Sequence, residues 1–293
     1  MKAAFLPDRG VVKVTGDTAR DFLNGLITTD TARLQPGLGR FGALLTPQGK
    51  ITVDFLITEA PAGHGGGFLI DCPKPLAQAL ADKLKFYRLR AKIEVENLSD
   101  SLGVLAAWDG EAALKPDLTF TDPRNASLGL RILVPAELAP KAASLLGAEM
   151  VDSSAYEAHR IASGVPRGGL DFIYGDAFPH ETNMDRLNGV DFDKGCYIGQ
   201  EVVSRMQHRG TARTRTVRVL LDGPAPEAGS TVLAGEKQVG TMGSAAGQNG
   251  LALVRIDRVA DALDAGVKLT SGGLGLRLAD PDSIRSEPKQ TVA

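Results

Sequence analysis

The chain has 293 residues, 43% of them apolar and 23% charged, with a formal net charge of −2. That length calls for two or three compact units rather than one core, and the charge offers no whole-chain attraction to nucleic acid. No run of ~20 apolar residues is present to span a membrane, and the two cysteines are too few for a disulfide framework.

Along the chain, MKAAFLPDRG meets a proline and two charges before any apolar run, so no secretory signal is expected and the location predicted is cytoplasmic. VVKV (11–14) predicts a short strand. GDTARDFLNGLITTD places Phe22, Leu23, Leu26 and Ile27 on one helical face, with Asp17 as N-cap. GLGRFG (37–42) has the G-x-G-x-x-G spacing, but it leads into a strand rather than following one and opening a helix, so no dinucleotide site is expected. FGALLT (41–46), the turn TPQG and ITVDFLIT predict a β-hairpin. In it Pro47 presets φ, Gly49 closes the turn, and Ile51, Val53, Phe55 and Ile57 share a face.

After AGHGGG, FLID predicts a buried strand and a helix follows from about Pro75, with Leu76, Leu80 and Leu84 as its core face. AKIEVEN (91–97) reads as another strand, completing a small α+β layer. LGVLAAW (102–108) and LGLRILVP (128–135) predict strands, and a helix is expected at 137–147. The next helix has a capping box in Ser154 and Glu157 and an end signal in Gly164 and Pro166. Residues 165–195 are rich in glycine and lack periodicity, which suggests a long functional loop. From Thr216 onward the pattern is all β, predicting a barrel or sandwich of about 70 residues, and SIRSEPKQTVA predicts a frayed tail.

Candidate chemistry gathers around DFDKGCYIGQE (191–201). His64, His159, His180 and His208 do not fall at zinc-ligand spacing with cysteines, and two cysteines cannot supply the four thiolates of a protein-bound iron–sulfur cluster. Gly195 and Gly199 allow a tight turn before a helix formed by QEVVSRM. A thiol there, beside Lys194 and Arg205, is expected to have a lowered pKa, although an isolated cysteine also serves as a small buried apolar group. Cys72, at a strand end, reads as core. Glu181 and Glu201 flank the irregular loop as solvated charges or as acceptors for the N–H donors of a pterin or purine. Tyr174, Phe178, Phe192 and Tyr197 could stack on such a ring or pack the loop. Arg205, Arg209, Arg213, Arg215 and Arg218 form a basic stretch, read as solvated charge or as a match for polyglutamate or RNA phosphate.

The segment PHETNMDRLNGVDFDKGCYIGQEVVSRMQHRG resembles the signature of the YgfZ-type folate-binding proteins, a family that includes mitochondrial iron–sulfur maturation factors. It lies within the wider superfamily of the glycine cleavage T-protein, a tetrahydrofolate-dependent aminomethyltransferase. VTGDTARDFLNGLITTD, RIASGVPRG and the all-β tail extend the likeness over most of the chain.

The resemblance implies a three-lobed α+β fold around a central folate cavity. Residues 1–48 and 99–210 would form a discontinuous domain, 49–98 an inserted α+β domain and 211–293 an antiparallel β-barrel. It places Glu181 on the pterin and Asp100 at the T-protein catalytic aspartate. It also sets Lys194, Gly195, Tyr197, Gly199, Gln200, Glu201 and Arg205 around the cofactor, and makes Cys196 a reactive thiol or the ligand of a shared cluster.

The function expected is that of a tetrahydrofolate-binding accessory factor for iron–sulfur clusters, particularly [4Fe–4S] clusters of client enzymes. A [2Fe–2S] cluster would be shared with an A-type carrier or a monothiol glutaredoxin, and no membrane or nucleic-acid partner is expected. The alternative is a folate-dependent one-carbon transferase.

Overall fold

The structure, a computed structural model, describes residues 1–209 and 212–284. These form two compact units, Met1–Tyr156 with Asp185–Gln200, and Glu157–Met184 with the described part of Glu201–Ala293.

The strands of the first unit are β1 (Lys2–Phe5), β2 (Arg9–Thr15), β3 (Gly39–Leu45), β4 (Ile51–Glu59), β5 (Phe68–Pro73), β6 (Glu94–Asn97), β7 (Gly103–Trp108), β8 (Thr119–Thr121), β9 (Leu130–Val134) and β10 (Glu149–Met150). They make two five-stranded sheets, ordered β3-β4-β5-β2-β6 and β10-β1-β7-β9-β8. The predicted hairpin is present: β3 pairs antiparallel with β4, and the Gly49 N–H donates to the Thr46 carbonyl to close the turn. The boundary expected at residue 48 thus falls inside a sheet.

Helix α1 (Ala19–Asn24) follows Thr18 rather than the Asp17 cap expected from the sequence, and no side chain caps it. A helix this short leaves Leu26 and Ile27 beyond its end, yet Leu23 and Ile27 are still buried with Val12, Leu44 and Phe55. Helix α2 (Lys74–Tyr87) has Pro75 in its first turn, where the missing N–H costs nothing. It buries Ala77, Leu80, Ala81 and Leu84 in the same core, with Leu76 at the margin. Cys72 is fully buried there, as expected, and burial pushes its thiol up to about 12. Helix α3 (Ala139–Leu146) packs a second core with β1, β7 and β9.

Buried charges link the two sheets. Arg131 of β9 donates to Asp71 of β5 at 3.4 Å, to Asp122 at 3.1 Å and to the Tyr156 hydroxyl at 2.5 Å. Arg9 holds the other Asp71 oxygen at 2.6 Å, and Arg124 holds Asp122 at 2.7 Å. A buried carboxylate persists as an ion only when paired and hydrogen-bonded. Here both carboxylates are.

In the second unit, β11 (Thr214–Leu221), β12 (Thr231–Ala234), β13 (Lys237–Ala246), β14 (Asn249–Arg255), β15 (Leu269–Ser271) and β16 (Leu274–Leu278) close into a six-stranded antiparallel barrel. The region is not purely β, because Ile256–Asp264 forms a helix that buries Val259 and Ala262. It is numbered α6, after α4 (Ser153–Ala162) and α5 (Gln200–Arg209), where the chain passes between units. The capping box expected from Ser154 and Glu157 does not form. The Asp152 carboxylate accepts from the Ser154 N–H at 2.8 Å, and Glu157 turns to Arg160 and Arg167. The expected frayed tail lies, from residue 285 on, outside the described residues.

Candidate functional site

The motif loop of the first unit is fastened by a lysine. Lys194 Nζ donates to the carbonyls of Asn24 at 2.7 Å, Ile27 at 2.7 Å and Thr29 at 2.9 Å, which uses all three ammonium hydrogens. Burial pushes this ammonium down to about 8, while Asp30 and Asp191 oppose the shift. The ammonium also lies 5.3 Å from the centre of the Tyr197 ring. Tyr197 is buried, and burial pushes its hydroxyl up to about 12. Two further bonds tie the same segments: the Asp191 N–H donates to the Thr28 carbonyl at 2.9 Å, and the Thr28 hydroxyl donates to the Gly189 carbonyl at 2.6 Å.

Gly199 fixes the other end of the loop. Its φ is +81°, and a Cβ there would lie 2.6 Å from the Thr46 carbonyl oxygen and 3.0 Å from Gly49 Cα. Only glycine lets this backbone approach the hairpin turn so closely. Between the Lys194 clamp and Gly199, Gly195 and Cys196 are exposed. Helix α5 then begins at Gln200, as predicted for QEVVSRM. The sequence cast Lys194 as the cation beside the thiol. Its hydrogens go to main-chain carbonyls instead, so its part is to shape the loop.

The remaining candidates fall elsewhere. Asp100 is exposed on the turn after β6. Glu201 is exposed and its carboxylate pairs with Arg205 one turn along α5. Glu181 belongs to the second unit, is half-buried, and accepts the Phe178 N–H through Oε2 at 2.8 Å. Its carbonyl accepts the Thr216 N–H at 2.8 Å, which anchors the PHETN segment to β11. Arg215 donates to the His180 carbonyl at 2.9 Å and Arg218 to the Ala162 carbonyl at 2.5 Å, so part of the basic stretch serves the second unit's own packing. The Arg209 side chain lies outside the described residues.

Sequence reading missed the hub that shapes the 165–184 loop. Arg160, buried in α4, donates to Asp171 at 2.9 Å, to Glu157 at 2.6 Å and to the Ser244 hydroxyl of β13 at 2.7 Å. Asp171 in turn accepts from the Ser244 N–H at 2.7 Å. An arginine inside RIASGVPRG and an aspartate inside GGLDF were the available signal.

Among the described residues, no group of three or more His, Cys, Asp or Glu side chains is placed to hold a metal ion. No described helix is long and apolar enough to cross a membrane.

Comparison with known proteins gives consistent relatives. Residues 213–286 match the CAF17 C-terminal beta-barrel domain. The chain is 33% identical over 282 residues to the human mitochondrial iron–sulfur cluster assembly factor IBA57, covering 87% of this chain and 77% of that protein. The mouse protein of the same name is 32% identical over 284 residues, with the same coverage. The Mycosarcoma maydis IBA57 homolog is 36% identical over 229 residues, which is 74% of this chain but 56% of that protein. The chain thus spans little more than half the length of some relatives. Their names are mitochondrial, which gives no support to the cytoplasmic location expected above. The crystal structure of aminomethyltransferase T of the glycine cleavage system from Bartonella henselae superposes with a TM-score of 0.74 over 96% of this chain and 85% of that one. At 18% identity that likeness shows the T-protein-like α+β fold alone.

Proposed function

The chain belongs to the IBA57 family of iron–sulfur cluster assembly factors, and on that footing we propose that it is a tetrahydrofolate-binding accessory factor in assembly or repair of iron–sulfur clusters, above all [4Fe–4S] clusters of client enzymes. The observation that carries the reading is the exposed Cys196 thiol, presented between a lysine clamp and a glycine that only a close backbone approach explains. A thiolate in that position can ligate iron or attack an electrophile.

The other thiol, Cys72, is sealed in the core, and an iron–sulfur cluster takes four ligands. The cluster is therefore cargo, shared as [2Fe–2S] with a partner such as an A-type carrier or a monothiol glutaredoxin. Folate would be held through Glu181. That residue fits the part, because the Phe178 N–H orients one carboxylate oxygen and the side chain is only half-buried. A carboxylate accepts paired N–H donors of a reduced pterin well. Of the motif residues, Lys194 and Gly199 hold the loop's shape.

Three experiments test this. Cys196→Ser should abolish maturation of client enzymes without unfolding the chain, and full client activity would contradict the thiol's role. Tetrahydrofolate titration should show binding that Glu181→Ala weakens, and absence of binding in both proteins would remove the folate. Steady one-carbon transfer that survives Cys196→Ser would instead favour the transferase.

A further inference from the structure

The two most exposed large apolar side chains among the described residues stand three positions apart: Phe86, 78% exposed, and Leu89, 90% exposed. Phe86 lies in the last turn of α2 and Leu89 in the turn after it. Leu89 has φ +44°, a left-handed backbone that a leucine adopts at a cost. That conformation projects its side chain into solvent rather than into the core beneath.

Around the pair lie Lys83, Lys85, Arg88, Arg90 and Lys92, five cations in ten residues with no acid among them, in a chain of net charge −2. Lys83 is half-buried and the other four are exposed, and none of the five takes part in the ion pairs seen among the described residues. Asp82, Glu94 and Glu96 mark the margins of the patch.

We propose that this projection is a docking surface for an anionic lipid bilayer, with Phe86 and Leu89 entering below the headgroups and the five cations lying at the level of the phosphates. The charge pattern selects this occupant. Protein interfaces are depleted in lysine, and three of these five cations are lysines. A bilayer bearing anionic lipids is uniformly negative and accepts such a ring, each cation near the surface adding attraction. Lysine and arginine also let their apolar stems follow the inserted side chains while their heads stay in water. Such contact is peripheral. It needs no spanning helix, and it reverses the expectation that the chain has no membrane partner.

The test is sedimentation of the full chain with vesicles of phosphatidylcholine alone and of phosphatidylcholine mixed with phosphatidylglycerol. Binding should require the anionic lipid, fall steeply with added salt, and drop about tenfold or more in the double variant Phe86→Ser, Leu89→Asn. Asparagine tolerates the left-handed backbone better than leucine does, so that variant should fold at least as stably at position 89, and its melting curve verifies this. Charge reversal in Lys85→Glu with Arg88→Glu should also release the protein. Absence of binding to anionic vesicles at low salt, or binding that ignores both variants, would overturn the proposal. So would failure to bind vesicles combined with a dimer that the double variant dissolves, which would assign the patch to a second copy.

Discussion

Lys194 donates from its ammonium to the carbonyl oxygen of Ile27 at 2.7 Å, across 167 residues of sequence. With the Asn24 and Thr29 carbonyls, this bond anchors the loop that presents Cys196. Lys194→Met keeps the apolar stem and removes the donors. The variant should lose about 1.5–3 kcal/mol of stability in urea unfolding, the range for hydrogen bonds to a charged group. Amide hydrogen exchange should rise across residues 191–199. Unchanged stability and exchange would show that the clamp is idle.

Gly199→Ala should cost about 1–3 kcal/mol, because alanine is strained at positive φ and its methyl would press on the Thr46–Gly49 turn. Gly195→Ala is the control, since no heavy atom lies within 4 Å of the point its methyl would occupy. Thermal unfolding separates the two. Equal melting temperatures for both variants would contradict the packing argument.

A thiol-specific colorimetric reagent should titrate one cysteine in the native protein and the second only after denaturation. Cys72 is fully buried with its thiol pushed up to about 12, whereas Cys196 is exposed. Cys196→Ser should abolish the native reaction and Cys72→Ser should leave it. Two fast-reacting thiols in the native wild type would be incompatible with this core.

Acid should weaken both units. Burial works against the charged form of Asp122, yet Arg124 and Arg131 hold its carboxyl well below the ordinary value of 3.8. Burial likewise opposes Glu157, and Arg160 and Arg167 hold it below 4.5. A carboxylate with a depressed folded-state pKa contributes stability that is complete above its unfolded value and is lost as pH falls toward the folded one. Stability should therefore begin to fall below pH 4.5 and fall further below 3.8. Glu157→Gln should flatten the upper part of that slope in denaturant titrations. A profile that the variant leaves unchanged would mean Glu157 is not among its causes.

The parts of the fold legible in the sequence were those with sustained periodicity. The β3-β4 hairpin announced itself by alternation and by TPQG, and α2 by leucines four apart behind a proline. β8 and β10 escaped because three and two residues are too few to show a period. In α6, Ile256, Val259, Ala260 and Leu263 have helical spacing, but they sit inside a run of strands that masks it. Glu157 fitted a capping box by spacing, and the buried Arg160 claimed it instead. The thiol loop was legible as a glycine-flanked cysteine before a helix. Its clamp was not, because the acceptors of Lys194 are main-chain oxygens more than 160 residues away, and a carbonyl leaves no mark on residue identity.

Barrel closure has a further consequence for handling the protein. β11 pairs with both β14 and β16, so the cylinder has no terminal strand whose amides could recruit another chain. In the open sheets, the Ile27–Leu44 bridge and the Thr28–Ala43 hydrogen bond shield β3, while β6 carries exposed glutamates and β8 and β10 are very short. Amyloid-type stacking therefore has few native footholds, and partly unfolded chains rather than intact ones should seed any precipitate formed on storage.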